Sequence, residues 1–156
     1  MKHKITYVLA LPVFAAMLFI ASCAKDEVKP YDHPFFHIMV DNKGEIDVLS
    51  NRKDTVDYKV YLSAQLQFEP ITVQYEVQVG DGLKEGRDFD LITEGTTLTF
   101  PQGIFERPVR IAWKESTLDP AKNNTLIIRL LSNSKNFTMG LPGPDQLQKQ
   151  LVITKK

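Results

Sequence analysis

The 156-residue chain contains a single cysteine, which excludes any internal disulfide framework. It also lacks an excess of charge, because 19 Lys and Arg residues balance 19 Asp and Glu residues. With no run of basic residues, the long-range attraction that nucleic-acid binding relies on is missing, and we expect no nucleic-acid partner. The hydrophobic fraction of 43% argues against extensive disorder, and the length fits one compact domain.

The sequence also lacks an apolar run that would serve comfortably as a permanent membrane anchor. The uncharged stretch at residues 8–21 has 14 residues, whereas a spanning helix needs about 20. Lys2 and Lys4 precede this stretch, and charged residues follow it almost at once. This is the layout of a secretory signal, so we expect residues 1–22 to direct export and to be removed.

The end of this segment reads Ile20-Ala21-Ser22-Cys23 and resembles a bacterial lipobox. In that motif the cysteine thiol takes a diacylglycerol, and a peptidase cleaves in front of the cysteine. The resemblance implies that Cys23 is lipidated and becomes the first residue of the mature protein, whose membrane contact is then the lipid. The alternatives are a plain buried cysteine or an uncleaved tail.

Lys25, Asp26 and Glu27 directly follow the lipobox and resemble the Lys-plus-acidic export signal of surface lipoproteins in the Bacteroidetes. The resemblance implies an outer-membrane lipoprotein that faces the medium. The alternative is a solvated tether on a lipoprotein that faces the periplasm. Either way, we interpret residues 23–33 as the lipidated cysteine and a flexible tether, because they combine charge with a proline and show no apolar period.

Beyond residue 34, apolar side chains recur at every second position, as in strands with one buried face. The clearest segments are residues 56–64 and 71–79. Further strands are predicted at residues 35–41, 45–49, 89–93, 97–100, 108–114, 125–131 and 151–154. Turn residues separate these segments, and no long amphipathic helix is evident. The pattern predicts an all-β fold, a single antiparallel immunoglobulin-like β-sandwich of about seven to nine short strands over residues 34–156.

Four segments follow the order seen in Calx-beta-like domains: VQYEV at 73–77, GRDF at 86–89, LTFPQG at 98–103 and VRI at 109–111. The resemblance covers about residues 56–132 and extends to many small Bacteroidetes lipoproteins. It implies an immunoglobulin-like sandwich. Calcium-binding members of that family cluster carboxylates just after the strand that matches residues 108–114. The corresponding residues 113–116 here hold one acid, Glu115, and one base, Lys114, which argues against a calcium site.

Acidic residues in one turn region are the remaining candidates for a metal site: Asp81, Glu85, Asp88 and Asp90. We expect them to form turns and to face solvent instead. His33 and His37 lie four positions apart, but Pro34 disfavours the helix that would pair them, and no carboxylate partner is obvious. We therefore expect no metal and no cofactor.

Catalytic motifs are also missing, because no Gly-x-Ser-x-Gly elbow and no phosphate-binding glycine loop occurs. We expect a protein without enzyme activity. Carboxylates that converge only in three dimensions keep a small glycan hydrolase as a third alternative.

Two aromatic residues and one loop are candidates for binding. Trp113 shares the parity of its apolar strand neighbours and should be buried, whereas Tyr61 should point outward. The loop at residues 133–150 carries Phe137, Met139 and Leu141, which either cover the end of the sandwich or form a contact surface. The leading hypothesis is a non-catalytic, lipid-anchored module that contacts a glycan or an envelope protein. Its rival is a purely structural envelope lipoprotein.

Overall fold

A computed structural model describes residues 33–156, which form an all-β fold of two five-stranded sheets around one hydrophobic core. The β-sandwich predicted from the alternating pattern is confirmed. Within these residues, no helix is long and apolar enough to cross a membrane. The predicted signal peptide, the lipobox, Cys23 and the charged residues 25–27 lie outside the described part of the chain.

The described residues contain ten strands. In chain order they are β1 (Phe35–Ile38), β2 (Glu45–Val48), β3 (Thr55–Ser63), β4 (Ile71–Val79), β5 (Phe89–Leu91), β6 (Thr97–Phe100), β7 (Glu106–Trp113), β8 (Thr125–Asn133), β9 (Thr138–Met139) and β10 (Gln150–Lys155). The first sheet has the order β5-β7-β3-β1-β9, and the second has the order β2-β10-β8-β4-β6. Alternation places every second side chain of the long strands in the core.

Two features of the sheets differ from the sequence prediction. The sheets are mixed, because β1 pairs with β9 and β10 pairs with β2 in parallel. Strand β9 lies inside the segment that we expected to be a loop, so the described residues hold ten strands and not seven to nine. Two residues are too few to show a period of two, and parallel partners distant in sequence leave no local signal.

The buried side chains lie on the strand faces that the alternating sequence pattern predicts. Val60, Val73, Ile111 and Ile128 are fully buried, and each such side chain contributes about 1.5–3 kcal/mol relative to exposure. The predicted burial of Trp113 is confirmed. Among the described residues, the buried members of the core cluster lie between positions 36 and 153.

The sandwich has two ends, which we name by where the chain enters. At the entry end, β1 begins opposite the last residue of β3. The loops at this end connect β3 to β4, β6 to β7 and β8 to β9, and they are residues 64–70, 101–105 and 134–137. At the far end, β3 begins and β7 and β10 finish, and the loops are residues 49–54, 80–88 and 114–124. The nine residues of β3 separate the two ends by about 30 Å.

Candidate binding groove at the far end

Two adjoining open depressions lie among the far-end loops, and we call them together the far groove. The larger has a volume of about 730 Å³ and is lined by Ser50, Asn51 and residues 115–118. The smaller has a volume of about 420 Å³ and is lined by residues 122–125 and the end of β10. Leu118 and Lys156 line both depressions. The groove therefore presents hydroxyl, amide and ammonium groups around one leucine.

Lys155 holds the far-end loops together from inside. The parity of β10 places it on the buried face after Leu151 and Ile153, and only 1% of its surface is exposed. Its Nζ atom donates to the Asp88 carbonyl oxygen at 3.1 Å, the Lys114 carbonyl oxygen at 2.5 Å and the Ser116 hydroxyl at 2.9 Å. One ammonium group thus joins the 80–88 loop to the wall of the groove.

The electrostatics around Lys155 show the effect of this burial. Burial lowers the pKa of the Lys155 ammonium, and Asp88 opposes that shift. The Nζ atom also lies 5.7 Å from the centroid of the Trp113 ring, within the range of a cation–π contact. Because every donor hydrogen has an acceptor, the buried charge is accommodated by hydrogen bonds.

Asp88 fixes the neighbouring loop. Its fully buried carboxylate accepts hydrogen bonds at Oδ2 from the Lys84 amide at 2.7 Å and from Arg87 Nη2 at 2.7 Å. Burial alone would raise the pKa of Asp88, but hydrogen bonds from Arg87, Ser116 and the Lys84 amide outweigh it and lower the pKa. Arg87 also donates to the Gly82 carbonyl at 2.8 Å. The 80–88 loop is therefore closed around its own buried carboxylate.

The other acidic candidates are also engaged within the protein. Asp81 accepts a hydrogen bond from the Asn123 amide at 2.9 Å, and Glu85 accepts one from the Leu91 amide at 3.3 Å. Asp90 forms an ion pair with Lys114 at 2.7 Å. Among residues 33–156, no group of three or more His, Cys, Asp or Glu side chains is placed to hold a metal ion. The expectation that all four acids face solvent is wrong for Asp88, which is fully buried because groups of its own loop donate hydrogen bonds to its carboxylate. Asp81, Glu85 and Asp90 take part in contacts that hold the turns.

A close backbone contact holds the 80–83 turn against the 119–124 segment. A Cβ atom on Gly80 would overlap the Asn123 carbonyl oxygen, so no residue with a side chain fits at this position without a shift of the backbone. Gly82 faces the same segment, where a Cβ atom would lie 2.0 Å from Asn124 Oδ1. The glycines in Gly80-Asp81-Gly82 therefore serve close packing at the edge of the far groove.

The chemistry of the groove is that of a hydrogen-bonding surface. Glu115 is the acid that lines the larger depression, and it is paired with Lys53. The hydrogen bond from Lys53 lowers the pKa of Glu115. Glu115 therefore adds an ionised hydrogen-bond acceptor to the lining of the groove.

The loop expected to bind a ligand packs back on the domain. The Phe137 ring stacks on Phe36 with centroids 6.3 Å apart, and Met139 is buried in β9. The Asn133 side-chain amide binds the Phe137 carbonyl oxygen at 2.7 Å and fixes the start of this segment. Leu141 is half-buried. The sequence left open whether these side chains cover the end of the sandwich or form a contact surface. The geometry favours the first alternative.

The residues that build the far groove are not among the sites predicted from the sequence. Lys155 was outside the predicted last strand, which stopped at Thr154. Its alternation with Leu151 and Ile153 was the available signal, because a lysine on the buried side of a strand needs internal acceptors. No sequence pattern around Leu118 or Lys156 indicates that these residues line a groove.

Comparison with known proteins does not assign the chain to a family, because no family model and no curated protein matches it. The resemblance to Calx-beta-like domains and to surface lipoproteins stays a prediction.

Proposed function

We propose that the protein is a non-catalytic, lipid-anchored module of the outer membrane that faces the medium and holds a glycan in the far groove. The observation that carries the proposal is the position of this polar groove at the end opposite the point where the chain enters the domain. A tether at the entry end leaves the far end free to meet a ligand.

The lining of the groove supports a glycan as the ligand. Sugar hydroxyls both donate and accept hydrogen bonds, and the hydroxyl of Thr117 and the amide of Asn51 can do the same. Leu118 adds an apolar contact for a ring face between the two depressions. The Lys155 and Asp88 hydrogen bonds hold the walls in place, which reduces the entropy lost on binding.

The anchor is supported by the lipobox resemblance at residues 20–23. Mass spectrometry of the protein extracted from membranes should find Cys23 as an acylated N-terminus. The Cys23→Ser variant should leave the membrane fraction. Protease added to intact cells should degrade the wild-type domain if it faces the medium and should spare it if it faces the periplasm.

Ligand binding is tested with residues 24–156 on a broad glycan panel, with calcium and again with a chelator. The double variant Asn51→Ala/Thr117→Ala should weaken binding roughly tenfold or more, since two hydrogen bonds of about 1 kcal/mol each are lost. Gln74→Ala/Thr97→Ala, two exposed polar positions on the outer face of the second sheet, is the matched control and should bind normally. Loss of binding in chelator would restore the loop acids as a metal site.

A panel without any binder would reject the glycan and favour the structural alternative or a protein partner. The structural role has its own support, because Phe137 stacks on Phe36 and is partly buried against the core. Crosslinking on intact cells would then identify a neighbouring envelope protein.

A further inference from the structure

Four large apolar side chains are exposed at the entry end. Phe68 is 75% and Leu66 is 49% exposed in the loop at 64–70, and Ile104 and Phe105 are exposed at 41% and 38% in the loop at 101–105. We call these four residues the apolar tips. A group of exposed large apolar side chains at one end of a domain is typical of an interaction surface.

The two loops that carry the apolar tips run side by side across the same end. The loop at 64–70 joins β3 to β4, and the loop at 101–105 returns from β6 to β7. The Leu62 amide donates to the Phe105 carbonyl oxygen at 2.8 Å, while Ile71 is paired with Phe100 across the second sheet. Both ends of each loop are therefore fixed at the entry end.

A tight turn aims one pair of tips outward. The Ile104 amide donates to the Pro101 carbonyl oxygen at 3.1 Å, and Gly103 has a φ of 76°. This left-handed conformation is readily available to glycine. The turn reverses the chain before β7, and Ile104 and Phe105 follow the reversal with exposed side chains.

The direction of the chain shows that the tether joins the domain at this end. Phe35 is paired with Ser63, the residue directly before the 64–70 loop. Eleven residues, 24 to 34, separate Cys23 from Phe35, and fully extended they reach about 36–40 Å. A lipid on Cys23 thus keeps the domain within about 40 Å of the bilayer, and the chain enters the domain at the end that carries the apolar tips.

Two ion pairs lie beside the apolar tips, next to the exposed Arg107. Lys135 forms an ion pair with Glu69, and Lys59 forms one with Glu106 at 2.7 Å. Paired charges give little attraction to anionic headgroups. The free energy of membrane binding therefore has to come from transfer of the apolar side chains into the bilayer interface. The surface fits a lipid bilayer whether or not its headgroups carry net charge.

We propose that Leu66, Phe68, Ile104 and Phe105 seat in the interface of the bilayer that carries the anchor, and so hold the far groove away from the membrane. This inference rests on the proposed lipid anchor at Cys23. It assigns the entry end to a lipid surface and explains why apolar side chains are exposed there.

The test attaches the mature chain, residues 23–156, to phosphatidylcholine nanodiscs through a maleimide lipid that reacts with the Cys23 thiol. Gadolinium-chelating lipids in the disc broaden nearby methyl signals in spectra of Ile-, Leu- and Val-labelled protein. We expect loss of the Leu66 and Ile104 signals. Leu49, at the far end, and Leu147, which is not in an entry-end loop, are exposed at 68% and 61% and should keep theirs.

The double variant Leu66→Ser/Phe68→Ser removes two tips without touching the core and should restore the Ile104 signal. Equal broadening at Leu49 and Ile104, or an Ile104 loss that survives in the variant, would overturn the proposal. So would a dimer of the free wild-type domain, seen by sedimentation and abolished by the variant, because the tips would then face a second copy. The chemical attachment makes the outcome independent of whether cells acylate Cys23, which mass spectrometry decides separately.

Discussion

The Trp113 indole N–H donates a 2.8 Å hydrogen bond to the Tyr58 hydroxyl inside the core. Both side chains are almost completely buried, and they join β7 to β3 where β7 finishes below the far groove. Since the Trp113 ring also lies against the Lys155 ammonium, Trp113 links this buried pair to the lysine that holds the far-end loops together.

Tyr58→Phe keeps the ring and removes the hydroxyl, so the Trp113 N–H is left buried without its acceptor. The free energy of unfolding in urea at pH 7 should fall by about 1–3 kcal/mol. Tyr61→Phe, on the outer face of the same strand, is the control and should change stability far less. Equal effects of the two substitutions would contradict the role assigned to the Tyr58 hydroxyl.

Tyr58 should also give the domain a distinctive alkaline transition. Burial raises its pKa from 10.0 to about 12, because the phenolate would lose its hydration. The native state then keeps a proton that the unfolded chain has lost, so this contribution is complete below pH 10 and disappears as pH rises toward 12. Urea unfolding between pH 9 and about 12 should show a steeper loss of stability in the wild type than in Tyr58→Phe. Parallel curves would reject the raised pKa.

Lys155→Met tests whether the buried ammonium organises the far end. The substitution leaves the Asp88 and Lys114 carbonyl oxygens without this donor, and we expect a loss of about 1–3 kcal/mol. Amide hydrogen exchange in the 114–118 loop should accelerate. Lys156→Met removes the neighbouring exposed lysine, whose ion pair with Asp47 at 2.7 Å should contribute at most about 1 kcal/mol. Unchanged exchange in the loop with Lys155→Met would show that the backbone alone holds it.

How far the sequence predicts this molecule depends on how local each signal is. Strands β4 and β6 have the predicted bounds, because alternating apolar residues and turn residues lie within the segments themselves. The two-residue β9 and its parallel pairing with β1 depend on contacts between residues about a hundred positions apart in the chain. No local pattern encodes such a pairing.

The candidate site was harder to predict for the same reason. The Lys155 ammonium meets the Asp88 carbonyl 67 positions away, and the groove exists only where these segments meet. The sequence predicts Asp88 as an acidic residue of a turn. Its burial and its hydrogen bonds to Lys84 and Arg87 depend on the folded loop, which composition and spacing do not specify.

His37 should make the domain sensitive to acid. It lies in β1 with 7% of its surface exposed, and its ring stacks on Tyr61 with centroids 5.4 Å apart. Burial lowers its pKa from 6.5, because the imidazolium would lose its hydration. Below pH 6.5 the unfolded chain therefore binds a proton that the native state resists, and stability falls as pH decreases through that range.

His37→Phe should remove this part of the acid sensitivity while keeping the stacked ring. Because Nδ1 has no hydrogen-bond partner among the described residues, the substitution deprives no other group of a bond at that atom. Urea unfolding of both proteins at pH values above and below 6.5 gives the comparison, and the wild type should lose more stability on acidification than the variant. If the two lose the same amount, the folded and unfolded states hold the His37 proton equally well, and the ring is hydrated despite its burial.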